Sequence, residues 1–200
     1  MENEENIKAE IMTASGLLVD VLNLRVEDVN IYDIATSLAH TCFAGGHVKK
    51  LYTNAQHSIY VSHYAGQDLY LDKTDKKAVW VEQMRGLLHD AAEVYTVDIR
   101  TPLKKWKELK ALTDLEDRIS NVIAQRFGLD SLHSSAVKRA DTYVRAQEMR
   151  DFMAKPKYEL PETDIRVTQK PFTYNIKAMD PKKAKEEFIK RFVYLQNNKP

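Results

Sequence analysis

Apolar positions recur along this chain with two periods, and the longer one dominates. From Asn30 onward, Ile31, Ile34, Ala35, Leu38 and Ala39 fall on one face, the spacing of an amphipathic helix. Phe43-Ala44-Gly45-Gly46-His47 breaks that run, and Gly45-Gly46 marks either a turn or a close backbone approach to a ligand. Thr53 is placed to cap a helix over 54–64, in which His57, Val61 and Tyr64 share a face. Asp75 starts a longer helix whose stripe is Val79 or Trp80, Met84, Leu87, Leu88 and Ala91, with His89-Asp90 near its C-terminal end. Thr101-Pro102 reads as a stop in an exposed loop and a fresh helical start, since proline is tolerated in a first turn. Helices are also expected over 109–127, ended by Gly128, over 134–153, with Val137, Ala140, Asp141 and Val144 on one side, and over 182–194.

Only the N-terminal stretch argues for strands. Residues 10–24 carry β-branched side chains on both sides of Ser15-Gly16, which suits a short hairpin better than a helix. The stretch 155–175 contains three prolines and alternates polar with apolar residues, as a long loop or a second hairpin would. No internal repeat or low-complexity segment interrupts the pattern. The expected fold is all-α with a small N-terminal β-hairpin, in one domain over residues 1–200.

Charge and cysteine usage narrow the function classes. Thirty Lys and Arg against 29 Asp and Glu leave a net charge of +1, which argues against a nucleic acid polymer as partner. The single Cys42 excludes an intrachain disulfide and a Cys-rich zinc site. It points to a reducing, cytoplasmic location. The acidic start Met1-Glu2-Asn3-Glu4-Glu5 has no apolar signal core behind it, and no segment approaches the ~20 apolar residues that span a bilayer. No membrane is expected as a partner.

Three polar elements sit on apolar stripes where they do not belong: His57, the His89-Asp90 doublet and Asp141. Burying a carboxylate without a partner costs several kcal/mol, and a divalent ion is the natural compensation. Two imidazoles and two carboxylates suit Zn²⁺, Mn²⁺, Co²⁺ or Fe²⁺ and leave coordination positions for water and a substrate oxygen. Neighbours on a helix point ~100° apart, so His89 and Asp90 share one ion only if it lies close to the helix surface. Glu93 lies one turn beyond His89, where a carboxylate can move a proton without ligating the ion. Asp98 is a second acid/base candidate. Each residue also has a plainer reading: a hydrogen-bonded core histidine, an acid paired with Arg139 or Arg145, a capped helix end. The order His, His-Asp, Asp on three successive helices is what favours the ion.

That order, with Ala55-Gln56-His57-Ser58, Leu87-Leu88-His89-Asp90-Ala91-Ala92-Glu93-Val94, Val97-Asp98-Ile99-Arg100-Thr101-Pro102-Leu103-Lys104 and Lys138-Arg139-Ala140-Asp141, resembles the HD-domain phosphohydrolases. The resemblance runs from about Thr13 to Met153, and the loop after the doublet is similar to that of the bacterial 5′-deoxynucleotidase branch. It implies an all-α core with one metal held by His57, His89, Asp90 and Asp141. Thr13-Ala14-Ser15-Gly16, Ile34-Ala35-Thr36-Ser37-Leu38-Ala39-His40 and Gly45-Gly46-His47 resemble small phage and prophage members of that branch. These include dATP triphosphohydrolases of phages that replace adenine by 2-aminoadenine. Such relatives usually carry an arginine beside a bulky residue before the Gly-Gly-His stretch, where this chain has Cys42-Phe43.

The resemblance implies a metal-dependent hydrolase that cleaves the P–O5′ bond of a deoxynucleotide, in the first instance a dATP-type triphosphate to deoxynucleoside and triphosphate. Release of orthophosphate from monophosphates and a non-catalytic nucleotide-binding module are the alternatives; a phosphodiesterase acting on cyclic nucleotides or alarmones fits less well. The metal would be Zn²⁺, Co²⁺ or Mn²⁺, and a triphosphate can bring its own Mg²⁺. One resident ion is expected, because Glu93 stands where two-metal members carry extra histidines. Glu93 and Asp98 would handle protons. Lys104 would grip phosphate, Lys49 or Lys50 would replace the missing arginine, and Phe43 or Tyr52 would stack on the base. Members of the branch form homo-oligomers, and Phe188, Phe192 and Tyr194 on the last helix are read as exposed and available for that. The location implied is cytoplasmic, that of the bacterial host if the chain is phage-encoded.

Overall fold

All the long helices but the one over 110–126 begin where a short polar side chain can satisfy a backbone N–H left over from the first turn. The computed structural model describes residues 8–68, 70–155, 157 and 176–200. Asn30 accepts from Tyr32 N at 2.9 Å to start α1 (Ile31–His40). Thr53 accepts from Gln56 N at 3.3 Å to start α2 (Asn54–Ala65). Asp75 accepts from Ala78 N at 2.9 Å to start α3 (Lys76–Leu88). The short α4 (Thr101–Lys104) has Pro102 in its first turn, and α5 (Lys110–Arg126) ends against Gly128, whose φ of +71° suits a residue without a side chain. Ser134 caps α6 (Ser135–Phe152) and Asp180 caps α7 (Pro181–Asn197).

The fold is mostly helical with a small N-terminal hairpin, as the periodicity predicts. Strands β1 (Glu10–Met12) and β2 (Leu18–Asp20) pair antiparallel, with Ile11 opposite Val19. Asp33, buried near the start of α1, accepts from Ser15 N at 2.6 Å and Ser15 Oγ at 2.8 Å, so the hairpin turn is tied to the helical body. The rest of the 10–24 stretch winds into a 3₁₀ turn, Val21–Asn23.

Helix α2 lies centrally, against α3, α6, α7 and α1. The main apolar core joins α1, α3, α5 and α7 through Ile34, Leu38, Met84, Leu87, Ile119, Ile123, Phe188 and Leu195. Buried Gln56 ties the approach to α7: its Nε2 donates to Lys177 O at 2.6 Å and its Oε1 accepts from Met179 N at 3.1 Å. Trp80 Nε1 donates to Leu195 O at 2.7 Å and locks α3 to α7.

Two expectations change. Helix α3 ends at Leu88, and the chain past the doublet tightens into a 3₁₀ turn, Ala91–Val94. On the last helix Phe188 is fully buried and Phe192 packs edge-on against Phe127, so of the three aromatic residues read as exposed only Tyr194 is. The reason is that α7 is longer than its apolar stripe suggests and packs on both α1 and α2. The proposed loop or hairpin over 155–175 lies outside the described residues at positions 156 and 158–175. Among the described residues, no helix is long and apolar enough to cross a membrane.

The α2–α3 crossing depends on Gly86. A Cβ built there would lie 2.9 Å from Ser62 Cα and 2.9 Å from Val61 O, both backbone atoms that cannot move aside. On an open helix Gly→Ala stabilises by ~1 kcal/mol. Here overpacking reverses the sign, and Gly86→Ala is expected to destabilise the fold by ~1–3 kcal/mol in denaturant titration. A stabilising effect would contradict the packing described.

Candidate metal centre

His57 reaches the centre from the second turn of α2, and it is held from behind. Its Nδ1 is 2.8 Å from Glu148 Oε2, and Glu148 is fully buried. The other oxygen of Glu148 accepts from Tyr52 Oη at 2.6 Å. Burial and the adjoining carboxylate keep the Tyr52 phenol protonated. With Glu148 as acceptor, His57 Nδ1 carries a proton, and Nε2 is the atom left to face the site. There it lies 3.2 Å from Asp141 Oδ1 and 3.9 Å from Asp90 Oδ2.

The doublet enters from the end of α3. His89 Nδ1 lies 2.9 Å from Gly86 O, which fixes the proton on Nδ1 and turns Nε2 inward. His89 Nε2 is buried without a hydrogen-bond partner, although Asp90 Oδ1 is 3.2 Å away and out of line for one. Because Asp90 has already left α-helical geometry, with φ −96° and ψ 7°, the two neighbouring side chains converge instead of splaying. His57, His89 and Asp90 offer donor atoms that all lie within 4.8 Å of one another, and together they could hold a metal ion.

The donor set fits a divalent cation. Two imidazoles whose tautomers are set by hydrogen bonds at Nδ1 present Nε2 to the same place as the Asp90 carboxylate, with Asp141 beside His57, and one of those nitrogens is a buried orphan. A histidine–carboxylate pair behind a ligand is a common means of orienting the ring and raising its basicity. Without an ion a proton serves instead. Burial alone lowers the pKa of His57, but Glu148 and Asp141 outweigh it and hold the imidazolium well above its ordinary range. Asp141 is pulled well below the usual carboxylate range: His57, with His89 and Arg145 adding, overcomes its burial. The Arg145 guanidinium stands 3.6 Å from Asp141 Oδ2, while Arg139 pairs with Asp68.

Two cavities meet at this cluster. The larger, about 730 Å³, reaches His57, and the smaller, about 480 Å³, reaches His89; Asp90, Glu93, Lys104 and Asp141 line both. Glu93, on the 3₁₀ turn, is mostly buried, and its pKa is pushed up to about 8 by desolvation and by Asp90 and Asp98, against the pull of Lys104. Asp98 lines the larger cavity and accepts from Asn54 Nδ2 at 3.0 Å.

The remaining expected contacts divide. Phe43 lines the larger cavity and packs against the rings of Tyr52 and His57, each centroid 5.7 Å away. Tyr52 has no exposed surface and stacks on Phe152, so it cannot also stack on a base. Lys50 is exposed and does not line either cavity. Lys104 does reach the centre, but its ammonium is taken by Glu93 Oε1 at 2.8 Å and Glu116 Oε2 at 3.0 Å. Besides Lys104, the cations that line the larger cavity are Arg100, Lys105 and Arg145. Gly45 serves Arg100: with φ +61° it leaves space that a Cβ would fill 2.5 Å from the guanidinium.

No family model matches the sequence. Over 141 residues the chain is 33% identical to the uncharacterized protein YfdR of Escherichia coli K12, covering 70% of this chain and 71% of that protein. The chain belongs to the YfdR family. An uncharacterized protein of Rhodobacter capsulatus is 31% identical over 129 residues, 63% of this chain and 62% of its own length. The names of these relatives state no activity.

Two outcomes test that geometry. Glu148→Gln keeps the shape but offers one acceptor oxygen to two donors, and is expected to weaken Zn²⁺ or Mn²⁺ affinity ~10–100-fold in chelator competition. Unchanged affinity would show that the buried carboxylate does not orient His57. The second outcome concerns pH. Because His57 in the metal-free fold holds its proton well above the ordinary imidazole range, an ion must displace it. Affinity should therefore rise ~10-fold per pH unit up to the His57 pKa, with one proton released per ion; a flat profile contradicts this.

Proposed function

We propose that this protein is a metal-dependent phosphohydrolase of deoxynucleotides, of the HD-domain type that its motifs resemble. The observation that carries this reading is the pair of tautomer-fixed imidazoles aimed, with Asp90 and Asp141, at one point beside Glu93. On this reading His57, His89, Asp90 and Asp141 hold a divalent transition-metal ion such as Zn²⁺, Co²⁺ or Mn²⁺. When bound, such an ion supplies a Lewis acid for a phosphoryl oxygen and lowers the pKa of water.

The chain's own groups supply the rest. Glu93, whose pKa burial, Asp90 and Asp98 push up to about 8, is placed to carry a proton to the departing O5′. Asp98, fixed by Asn54, stands in the same cavity as a polar contact for the sugar or as a second proton acceptor. Phe43, Met149 and Met153 give that cavity an apolar wall against which a base can pack. Arg100 and Lys105, which flank α4, and Arg145 on α6 give it a cationic wall. Several cations suit a triphosphate better than a single phosphate, which favours the release of triphosphate from a dNTP. Release of orthophosphate from a dNMP would use the same bond cleavage and the same acid.

A nucleotide panel incubated with Zn²⁺, Co²⁺ or Mn²⁺ tests the proposal, with the released phosphate species identified. Triphosphate and deoxynucleoside from a dNTP are the expected products. Orthophosphate from monophosphates would transfer the assignment to a nucleotidase, and no turnover on any nucleotide would leave a binding module. Glu93→Gln should retain the metal and nucleotide binding while kcat falls ~10²–10⁴-fold. Full activity in that variant would remove Glu93 from proton transfer.

A further inference from the structure

Lys104 occupies an unusual position for a side chain expected to grip phosphate. Its ammonium lies 2.8 Å from Glu93 Oε1 and 3.0 Å from Glu116 Oε2, and the three side chains are only 27%, 14% and 11% exposed. Lys104 and Glu93 line both cavities, as Asp90 and Asp141 do, and Glu116 lines the smaller. It is assembled from three separate elements: the 3₁₀ turn after the doublet, α4 and α5.

We propose that Lys104 is a built-in cation that takes the place of a second divalent ion beside the metal centre and so keeps that centre mononuclear. The inference rests on the metal-centre reading given above. Two shielded acids facing each other need a positive charge between them once Glu93 gives up its proton, whether an ammonium or a metal ion. In two-metal phosphohydrolases the second ion stabilises the oxygens of the displaced group. Here a tethered ammonium stands between the acids. It is present at high effective concentration whatever the metal supply. Lysine is a compact point charge with three donors, so it can bridge Glu93 and Glu116 and still present one N–H to an oxygen in the cavity. Burial opposes the charge, but Glu93 and Glu116 more than repay it and raise the Lys104 pKa, so the bridge stays cationic.

The arrangement also separates two tasks. The cluster of His57, His89, Asp90 and Asp141 uses imidazole nitrogen, which selects a transition-metal ion. The Glu93–Glu116 pair offers oxygen alone, the donor set of Mn²⁺ or Mg²⁺. A vacated Lys104 position would therefore favour those ions, without altering the ligands of the first centre.

Metal content decides the question. Wild type, Lys104→Met and Lys104→Arg are titrated with Mn²⁺, and bound ions are counted by elemental analysis and by electron paramagnetic resonance, which detects coupling between neighbouring Mn²⁺ ions. Wild type and Lys104→Arg should bind one Mn²⁺ per chain, and Lys104→Met two, with a coupled signal. One ion in wild type and one in Lys104→Met would overturn the inference and leave the first centre standing. Two in wild type would overturn it as well, since the lysine would then exclude nothing. No ion in wild type would instead sink the metal-centre reading itself, and this inference with it.

Discussion

Glu148 is a carboxylate with no exposed surface, two turns beyond Asp141 on α6, and its burial organises the site around it. An unpaired buried carboxylate would cost several kcal/mol, so its two oxygens must find donors. Tyr52 and His57 are those donors. Tyr52 is brought there by the segment between α1 and α2, which is pinned where Phe43 N donates to Tyr52 O at 2.8 Å and Cys42 bridges to Thr53. One acid thus fixes the register of α6 against α2, the orientation of the His57 ring, and the placement of the segment that carries Phe43. It also sets which ring nitrogen of His57 faces Asp90 and Asp141. The chemistry of the centre depends on that last consequence.

Much of this was legible in the amino-acid order, and the exceptions have physical causes. The helices over 31–40, 54–65, 76–88, 110–126 and 135–152 match the 3.6-residue stripes and the capping residues Thr53 and Asp75, because both are local signals. His57, His89, Asp90 and Asp141 stood out as polar groups on apolar stripes; the structure gathers His57, His89 and Asp90 into one donor group and places Asp141 3.2 Å from His57 Nε2. Glu148 was missed although it is seven residues from Asp141 and on the same face of α6. That spacing, read together with Val144, would have marked it as a second acid turned toward the core. Tyr52 was taken for a base-stacking residue because an aromatic ring gives no sign of whether its hydroxyl has a buried partner. Lys104 was taken as a free cation because Glu93 and Glu116 meet it only in three dimensions.

The break after Leu88 was the least legible feature and the most consequential. An uninterrupted stripe through Ala91 suggests that α3 runs through the doublet, which would point His89 and Asp90 ~100° apart. Ending the helix at the doublet removes the conflict. His89 keeps helical geometry and bonds back to Gly86 O, while Asp90 turns into the 3₁₀ segment and folds toward His89. The same change of path turns Glu93 toward Asp90 and Lys104, so the proton-carrying candidate is placed by the device that makes the ligands converge.

Charge explains why the surroundings of the cluster look as they do. Asp90, Glu93, Asp98, Glu116, Asp141 and Glu148 crowd the junction of two cavities, and that many acids would repel an anionic substrate. All but Asp90 are answered locally. Asn54 donates to Asp98, Tyr52 and His57 to Glu148, and Lys104 to both Glu93 and Glu116, while Arg145 stands beside Asp141. What remains to be balanced lies between Asp90, Asp141 and the two Nε2 atoms. A proton on His57 does so only in part, because it leaves His89 Nε2 buried with nothing to bond. A divalent ion answers both nitrogens and both acids at once. Arg100 and Lys105 line the larger cavity without a carboxylate hydrogen-bonded to either among the contacts described, which is the cationic wall that the proposed function calls on.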